Sequence, residues 1–322
     1  TGQNSNSVAI GNAAGNKNQK SNRVAIGTLA GYSLQDSSCV SIGYYAGHTS
    51  QKSNSVAIGN WSGRYNQQSN SIAIGNTAGY TGQNSNSVAI GNAAGNINQK
   101  SNSVAIGTLA GYSLQDSSSV SIGNYAGHTS QKSNSVAIGS NAAQINQKSN
   151  SVAIGNVAGQ YNQGSQSVAI GFQSGNGNQG SNCVGIGYAA GLGGQQDFAI
   201  SIGQQAGQTS QGSKSVAIGL AAGQNSQGIQ SVAIGNISAQ HSTGANTVSI
   251  GNESAFSGQQ DFSVAVGNFA GQTNQGTNSI AIGDNAGSSN QPSNSIILNA
   301  NSSALNSTNS GLYIKPINPT YD

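Results

Sequence analysis

The sequence predicts an all-β protein, a parallel β-solenoid (a β-roll or β-helix) of nineteen sixteen-residue coils, and three observations carry that expectation. The first is the motif Ser-Val-Ala-Ile-Gly, which returns at a fixed stride. Its first apolar residue is Val8, then Val24, Val40, Val56 and Ile72, continuing without insertion or deletion to Ile280 and Ile296. The second is the alternation inside the motif, the period of two that marks a strand. The third is composition. Only 5% of residues are charged, against about a quarter in ordinary domains, and there are 47 Gly, 3 Pro and a net charge of +3. Low hydrophobicity without high net charge or many prolines is not the pattern of a disordered chain. A fixed stride held this long belongs to stacked repeats.

Reading the coil by rows assigns roles. Val8 and Ile10 point one way, and Ser7, Ala9 and Gly11 the other. The Val8 row holds only Val or Ile, and the Ile10 row departs from Ile only at Val266 and Leu298. These β-branched rows are expected to form the core. The Ala14 row is always Ala or Ser, which fits the facing wall of that core. The Gly11 row is Gly in eighteen successive coils and then Asn299. A repeated Gly implies a positive φ or a close backbone approach. The Gln19 row is Gln in 17 of 18 coils, with Thr243 as the exception. Such a row predicts a ladder of amides bonded from coil to coil.

The Ala9 row contains only Ala, Ser or Gly185 until Ile297. As an outward strip of small side chains it would suit close packing against a partner. One Val and one Ile per coil also make a thin core. The expectation is therefore a homo-oligomer, most simply a homotrimer, with Ala9, Ala25, Ala57, Ala73, Ala89 and Ala105 at the interface. Arg23, in the neighbouring Ser7 row, would sit at the edge of that contact.

Residues 1–59 match residues 81–139 except at Lys17/Ile97, Arg23/Ser103, Cys39/Ser119 and Tyr44/Asn124. This is a duplication of five whole coils, the unit of insertion that a stack accepts. Aromatic residues fall in the variable rows and are densest before Thr81. Exposed Tyr and Trp combine apolar area with a polar handle and favour recognition. Tyr32, Tyr44, Tyr45, Trp61, Tyr65 and Tyr80 are accordingly candidates for receptor or glycan contact, with lateral packing between subunits as the other reading.

No catalytic or metal site is expected, and no cofactor. The seven acidic residues are scattered, and the pairs that share a row lie coils apart, too far for the paired carboxylates of glycoside cleavage. His48, His128 and His241 have no neighbours at metal-ligand spacing. Cys39 and Cys183 read as small-residue substitutes in the Ser7 row. Phe198 and Phe262 read as local packing variants of one corner. No Lys/Arg cluster suggests nucleic acid, and no apolar run is long enough for a transmembrane helix. The chain lacks Met and starts in mid-repeat, which reads as a piece of something longer.

The unit Asn-Ser-Val-Ala-Ile-Gly followed by a small-residue pair resembles, over residues 1–298, the head repeats of trimeric autotransporter adhesins. That family forms trimers of parallel β-rolls that bind host surfaces. Residues 1–299 form the repeat shaft and 300–322 a C-terminal cap or tail. The tail sequence Ala304-Leu305-Asn306 and Asn309-Ser310-Gly311-Leu312-Tyr313-Ile314-Lys315-Pro316-Ile317 is similar to the segment that precedes an intramolecular chaperone in viral fibre proteins. The whole is most like repeat-bearing surface or tail fibres of large DNA viruses and phages. The resemblance implies a removed chaperone domain after the tail, with Asp322 as a processing end. An arbitrary boundary of the fragment is the alternative. The implied function is an extracellular structural and adhesive shaft on a virion or cell surface. A bacterial adhesin head and an ice-binding solenoid are the competing readings.

Overall fold

A computed structural model describes residues 5–317, and among them there is no helix. The fold is a β-solenoid of twenty parallel strands, one beginning in each successive repeat, arranged in two compact units. The first unit, Thr1–Ser165, holds β1 (Val8–Ile10) to β10 (Val152–Ile154). The second, Gln166–Asp322, holds β11 (Val168–Ile170) to β20 (Gly311–Lys315). Within the first unit each strand pairs in parallel with that of the next coil, residue for residue, as in Val56↔Ile72, Ala57↔Ala73 and Ile58↔Ile74. A second line of single parallel bridges stitches the return segment of each coil, as in Thr49↔Tyr65 and Tyr65↔Thr81. The second unit repeats both devices, as in Val216↔Val232 and Thr209↔Asn225.

The strand alternates as expected, but its two faces are the reverse of the sequence reading. The small row faces the interior: Ala25 is 1% exposed, and Ala57, Ala73, Ala89 and Ala105 are fully buried, while Ala9 in the first coil is half-buried. The alanine strip is thus the inside of each coil and not an oligomer interface. The Val and Ile rows, assigned to the core from sequence, stand outside, half-buried or exposed along both units. The physical reason is volume. The interior already holds the Ala9 row, the buried Ala14 row (Ala78, Ala94, Ala110) and the whole side chain of the Gln19 row. No room remains for two β-branched residues per coil.

The glutamine ladder is present as expected and does more than stack. Gln67 Nε2 donates to the Val56 carbonyl in its own coil at 2.8 Å and to Gln83 Oε1 in the next coil at 3.2 Å. Its Oε1 accepts from Gln51 Nε2 at 3.2 Å. In the first unit the chain of amides runs through Gln83, Gln99, Gln115, Gln131 and Gln147 with links of 3.0–3.2 Å. In the second unit Thr243 interrupts the row, and its hydroxyl instead accepts from the Gly228 amide. The row ends beyond Gln291, whose Oε1 lacks a partner, as does the Ser307 hydroxyl one coil on. A buried amide left unbonded is costly, so a row of them is acceptable only because each satisfies the next.

Two glycine rows shape the corners. Gly75 has φ +131°, and a Cβ there would lie 2.4 Å from the Gly91 carbonyl oxygen. Gly79 has φ +54°, and its Cβ would meet Gln83 Oε1 at 2.7 Å. Both parts of the sequence reading, positive φ and close approach, are therefore realised.

Arg23 lies inside the first unit at 2% exposure and not at a contact edge. Its guanidinium bonds Gln19 Oε1 and the Lys20 carbonyl, while one nitrogen lacks a partner. Burial pushes its pKa down.

At the far end, β19 (Ser295–Asn299) places Ile297 in the alanine row, fully buried. β20, in the segment read as tail, keeps the register of the repeat as a twentieth strand, with Leu312 and Ile314 in the outer rows and Tyr313 opposite Ile297. Ile297, Leu305 and Tyr313 close the apolar interior there.

These contacts predict which substitutions unfold the coil. Gln99→Leu removes the buried bonds that Gln99 makes to the Val88 carbonyl, to Gln83 Nε2 and to Gln115 Oε1, and should cost about 1–3 kcal/mol. Gly75→Ala should cost more than about 1 kcal/mol, since its φ and the next backbone both oppose a side chain. Thermal unfolding followed by circular dichroism checks both; an unchanged midpoint for Gln99→Leu would contradict the ladder.

Candidate recognition surface

The rows that vary between coils are those that project outward at the corners, and several hold residues at positive φ. The row of Ala13, Leu29, Tyr45, Trp61 and Thr77 sits at φ +52° to +57° in these coils. For a bulky side chain this left-handed backbone costs about 1–2 kcal/mol, and it persists because rung bonds on either side define it, such as Trp61 N to the Tyr44 carbonyl at 2.8 Å.

Four of the six aromatic candidates converge in the first unit, and they do so around a residue the sequence reading did not single out. The Arg64 guanidinium carbon lies 4.7 Å from the Tyr45 ring centroid, 4.8 Å from Tyr65, 5.2 Å from Trp61 and 5.7 Å from Tyr80. Its NH1 donates to the Tyr80 hydroxyl at 3.0 Å, while its buried Nε has no partner. Tyr65 meets Tyr80 edge-on at 5.6 Å, and Trp61 tilts against Tyr80 at 6.3 Å. Tyr44, 48% exposed, packs edge-on against Tyr45. Tyr32 joins the cluster through His48, on which it stacks at 5.1 Å and 6°. The only clue to Arg64 in the sequence is its spacing: a cation just after Trp61, and one full coil before Tyr80, shares their corner.

The stack of Tyr32 on His48 has a copy in the duplicated block, Tyr112 on His128 at 5.0 Å and 6°. Burial, with the Arg64 charge adding to it for His48, pushes both imidazoles below their ordinary pKa. Next to the cluster is an open groove of about 440 Å³, bounded by Trp61 and Tyr80 on one side and Leu109 and Tyr112 on the other.

Several charged residues among those described are held by ion pairs and backbone amides. Asp36 lies between Lys20 and Lys52, and its bond to Lys20 holds the carboxyl below its usual range. Asp197 and Asp261 each accept a backbone amide from the preceding coil, Ser181 N at 2.7 Å and Ala245 N at 2.8 Å. Among the described residues no group of three or more His, Cys, Asp or Glu could hold a metal. Cys39 and Cys183 are free, buried thiols in the inward Ser7 row, and burial pushes Cys183 up to about 11. Phe198 and Phe262 are 54% and 58% exposed, so they are not the packing variants their sequence suggested. Asp322 lies outside the described residues.

The chain is a β-solenoid repeat protein. No protein-family model matches its sequence, and a search of the curated proteins finds no match.

The depressed imidazoles carry a pH dependence. The folded protein favours neutral His48 and His128, so their contribution is present above the unfolded histidine pKa of about 6.5 and is lost as pH falls through it. The melting temperature should drop between about pH 7 and 5, and the drop should shrink in the double variant His48→Gln, His128→Gln. A profile that is the same in both proteins would contradict this assignment.

Proposed function

We propose that the chain is a shaft segment of a self-associating structural and attachment fibre, displayed on a virion or cell surface, and that it works without catalysis. The observation that carries this reading is the outer strip of the strand ladder. In each unit the Val and Ile rows form a continuous line of β-branched side chains facing outward, with Ile154, Ile186, Ile250 and Ile282 at 36–43% exposure. Monomeric proteins rarely leave contiguous apolar patches beyond a few hundred Å² in water. A second copy of the same strip is the partner that matches it rung for rung, and a cyclic arrangement about a common axis covers every strip at once. The number three comes from the resemblance of the repeats to trimeric adhesin heads and fibres.

The partner face is thus moved from the alanine row to the valine and isoleucine rows. The ice-binding alternative rested on a flat strip of small residues at the surface; that strip is buried and no longer supports it.

Light scattering on the native protein should give a mass near three times 32.0 kDa. Placing charge on the outer strip, with Ile74→Lys, Ile90→Lys and Ile106→Lys together, should lower that mass while the β-sheet circular dichroism remains. A clean 32.0 kDa monomer of the unaltered chain would overturn the proposal.

A further inference from the structure

We propose that the groove between Tyr80 and Tyr112 is a binding site for a neutral saccharide, an inference that rests on the attachment reading and gives it a ligand class. The first argument comes from the duplication. Trp61, Arg64, Tyr65 and Tyr80 correspond, five coils on, to Asn141, Gln144, Ile145 and Gln160. The coil is unchanged there: Asn141 has φ +54° against +56° for Trp61, and Tyr65 and Ile145 occupy the same line of bridges. The corner is satisfied without aromatics, since Gln160 Nε2 donates to Gln144 Oε1 at 2.8 Å. The aromatic set is therefore no requirement of the solenoid. Trp61 is moreover the costlier occupant of a left-handed position, where Asn is tolerated.

The second argument is the chemistry of the lining. Tyr80, Asn96 and Tyr112 follow one another in one corner row. Tyr112 lies flat on His128 in the coil after it, so its other face is turned towards Asn96 and the groove. The short Asn96 is drawn in, its amide donating to the Thr77 carbonyl at 2.8 Å. Tyr80 and Tyr112 are thus two rungs apart, about 9.6 Å at standard strand spacing. A pyranose seated midway would lie about 4.8 Å from each rung, where its C–H faces can pack against both rings. In the first copy the corresponding face of Tyr32 is covered by Lys17, with Nζ 5.4 Å from the ring centroid. In the second copy that lysine is Ile97, and the face of Tyr112 lines the groove.

The third argument is charge. The lining holds aromatic and aliphatic surface with a few amides and hydroxyls and no Asp, Glu, Lys, Arg or His. Arg64 is not part of the lining and is packed against four rings. Its NH1 donates to the Tyr80 hydroxyl oxygen, which leaves the Tyr80 proton free to be donated to a ligand oxygen. Apolar faces with a few fixed hydrogen-bonding groups suit a pyranose, whose C–H face stacks while its hydroxyls bond. Nothing in the lining would neutralise a sialic acid or a sulfate.

The test uses the full chain and its single tryptophan, Trp61, as the reporter. Cellotriose, maltotriose, chitotriose and β-1,4-galactotriose are titrated separately against Trp61 fluorescence, beside sialyllactose and a heparin trisaccharide. At least one neutral sugar should change the emission saturably. That response should weaken at least tenfold in Tyr80→Gln, which installs the residue of the second copy, and in Tyr112→Ala. Circular dichroism and native mass, taken on the same samples, verify the fold. Binding by acidic sugars alone, no response to any neutral sugar, or full binding retained in both variants would each overturn the proposal. A trimeric mass with no sugar response would refute this site and leave the fibre reading standing; a monomer that binds would do the reverse.

Discussion

The amide ladder inside the coil is the constraint from which the rest of the architecture follows. In all but one of the coils from Gln19 to Gln291 a glutamine side chain fills much of the interior, and in the run from Gln51 to Gln147 each bonds a strand carbonyl of its own coil and the amide of the next. With that space taken, the facing positions can hold only Ala or Ser, which is why the Ala9 and Ala14 rows never grow larger before Ile297. The β-branched residues that favour a strand must then stand on the other face. A polar ladder inside and an apolar strip outside is the reverse of an ordinary soluble domain. It makes each coil dependent on its neighbours through the ladder, and leaves the Val and Ile rows at the surface of the single chain.

The backbone supports this arrangement with repeated left-handed residues. Asn70, Gly75, Thr77, Gly79 and Gly82 all fall at positive φ within less than one coil of chain. Where the next coil presses against the chain, as at Gly75, only glycine fits. Where the side chain leaves the corner for solvent, as at Thr77, the row accepts Leu109, Tyr125, Asn141 and Val157 in later coils. Steric closure thus separates the rows that build the coil from the rows that are free to carry chemistry. Left-handed geometry at the second kind disfavours bulky residues but does not exclude them.

Much of this was legible from the repeat. The stride, the parallel register, the positive φ of the glycine row and the glutamine ladder all follow from identical residues at one position in every coil. The face of the strand was not legible, because a period of two states that two rows differ and not which of them is inside. Val and Ile are normally the buried set, and the volume of Gln51 and its equivalents, which decides the matter, appears in a different row. The twentieth strand was hidden for another reason: Leu312, Tyr313 and Ile314 keep the spacing but not the Val-Ala-Ile identity. In the surface cluster, variable aromatics marked the region, but Arg64 draws its meaning from neighbours one coil away, which a linear reading does not bring together.

The duplication shows how a scaffold of this kind acquires a site. Two blocks of coils with nearly the same sequence fold to the same rungs, yet one corner carries Trp61, Arg64, Tyr65 and Tyr80 and its copy carries Asn141, Gln144, Ile145 and Gln160. The invariant rows are saturated by their own ladder bonds, so the corner residues change with little consequence for the coil. Because stacked coils lie about 4.8 Å apart, residues one repeat apart in sequence become neighbours, and one substitution per coil is enough to build a cluster. The groove beside Tyr112 depends on such a change, since Lys17 covers the equivalent tyrosine in the first block and Ile97 does not in the second. The surface chemistry of this protein is thus a matter of which side chains fill a few free corner rows, on a coil whose stability is settled elsewhere.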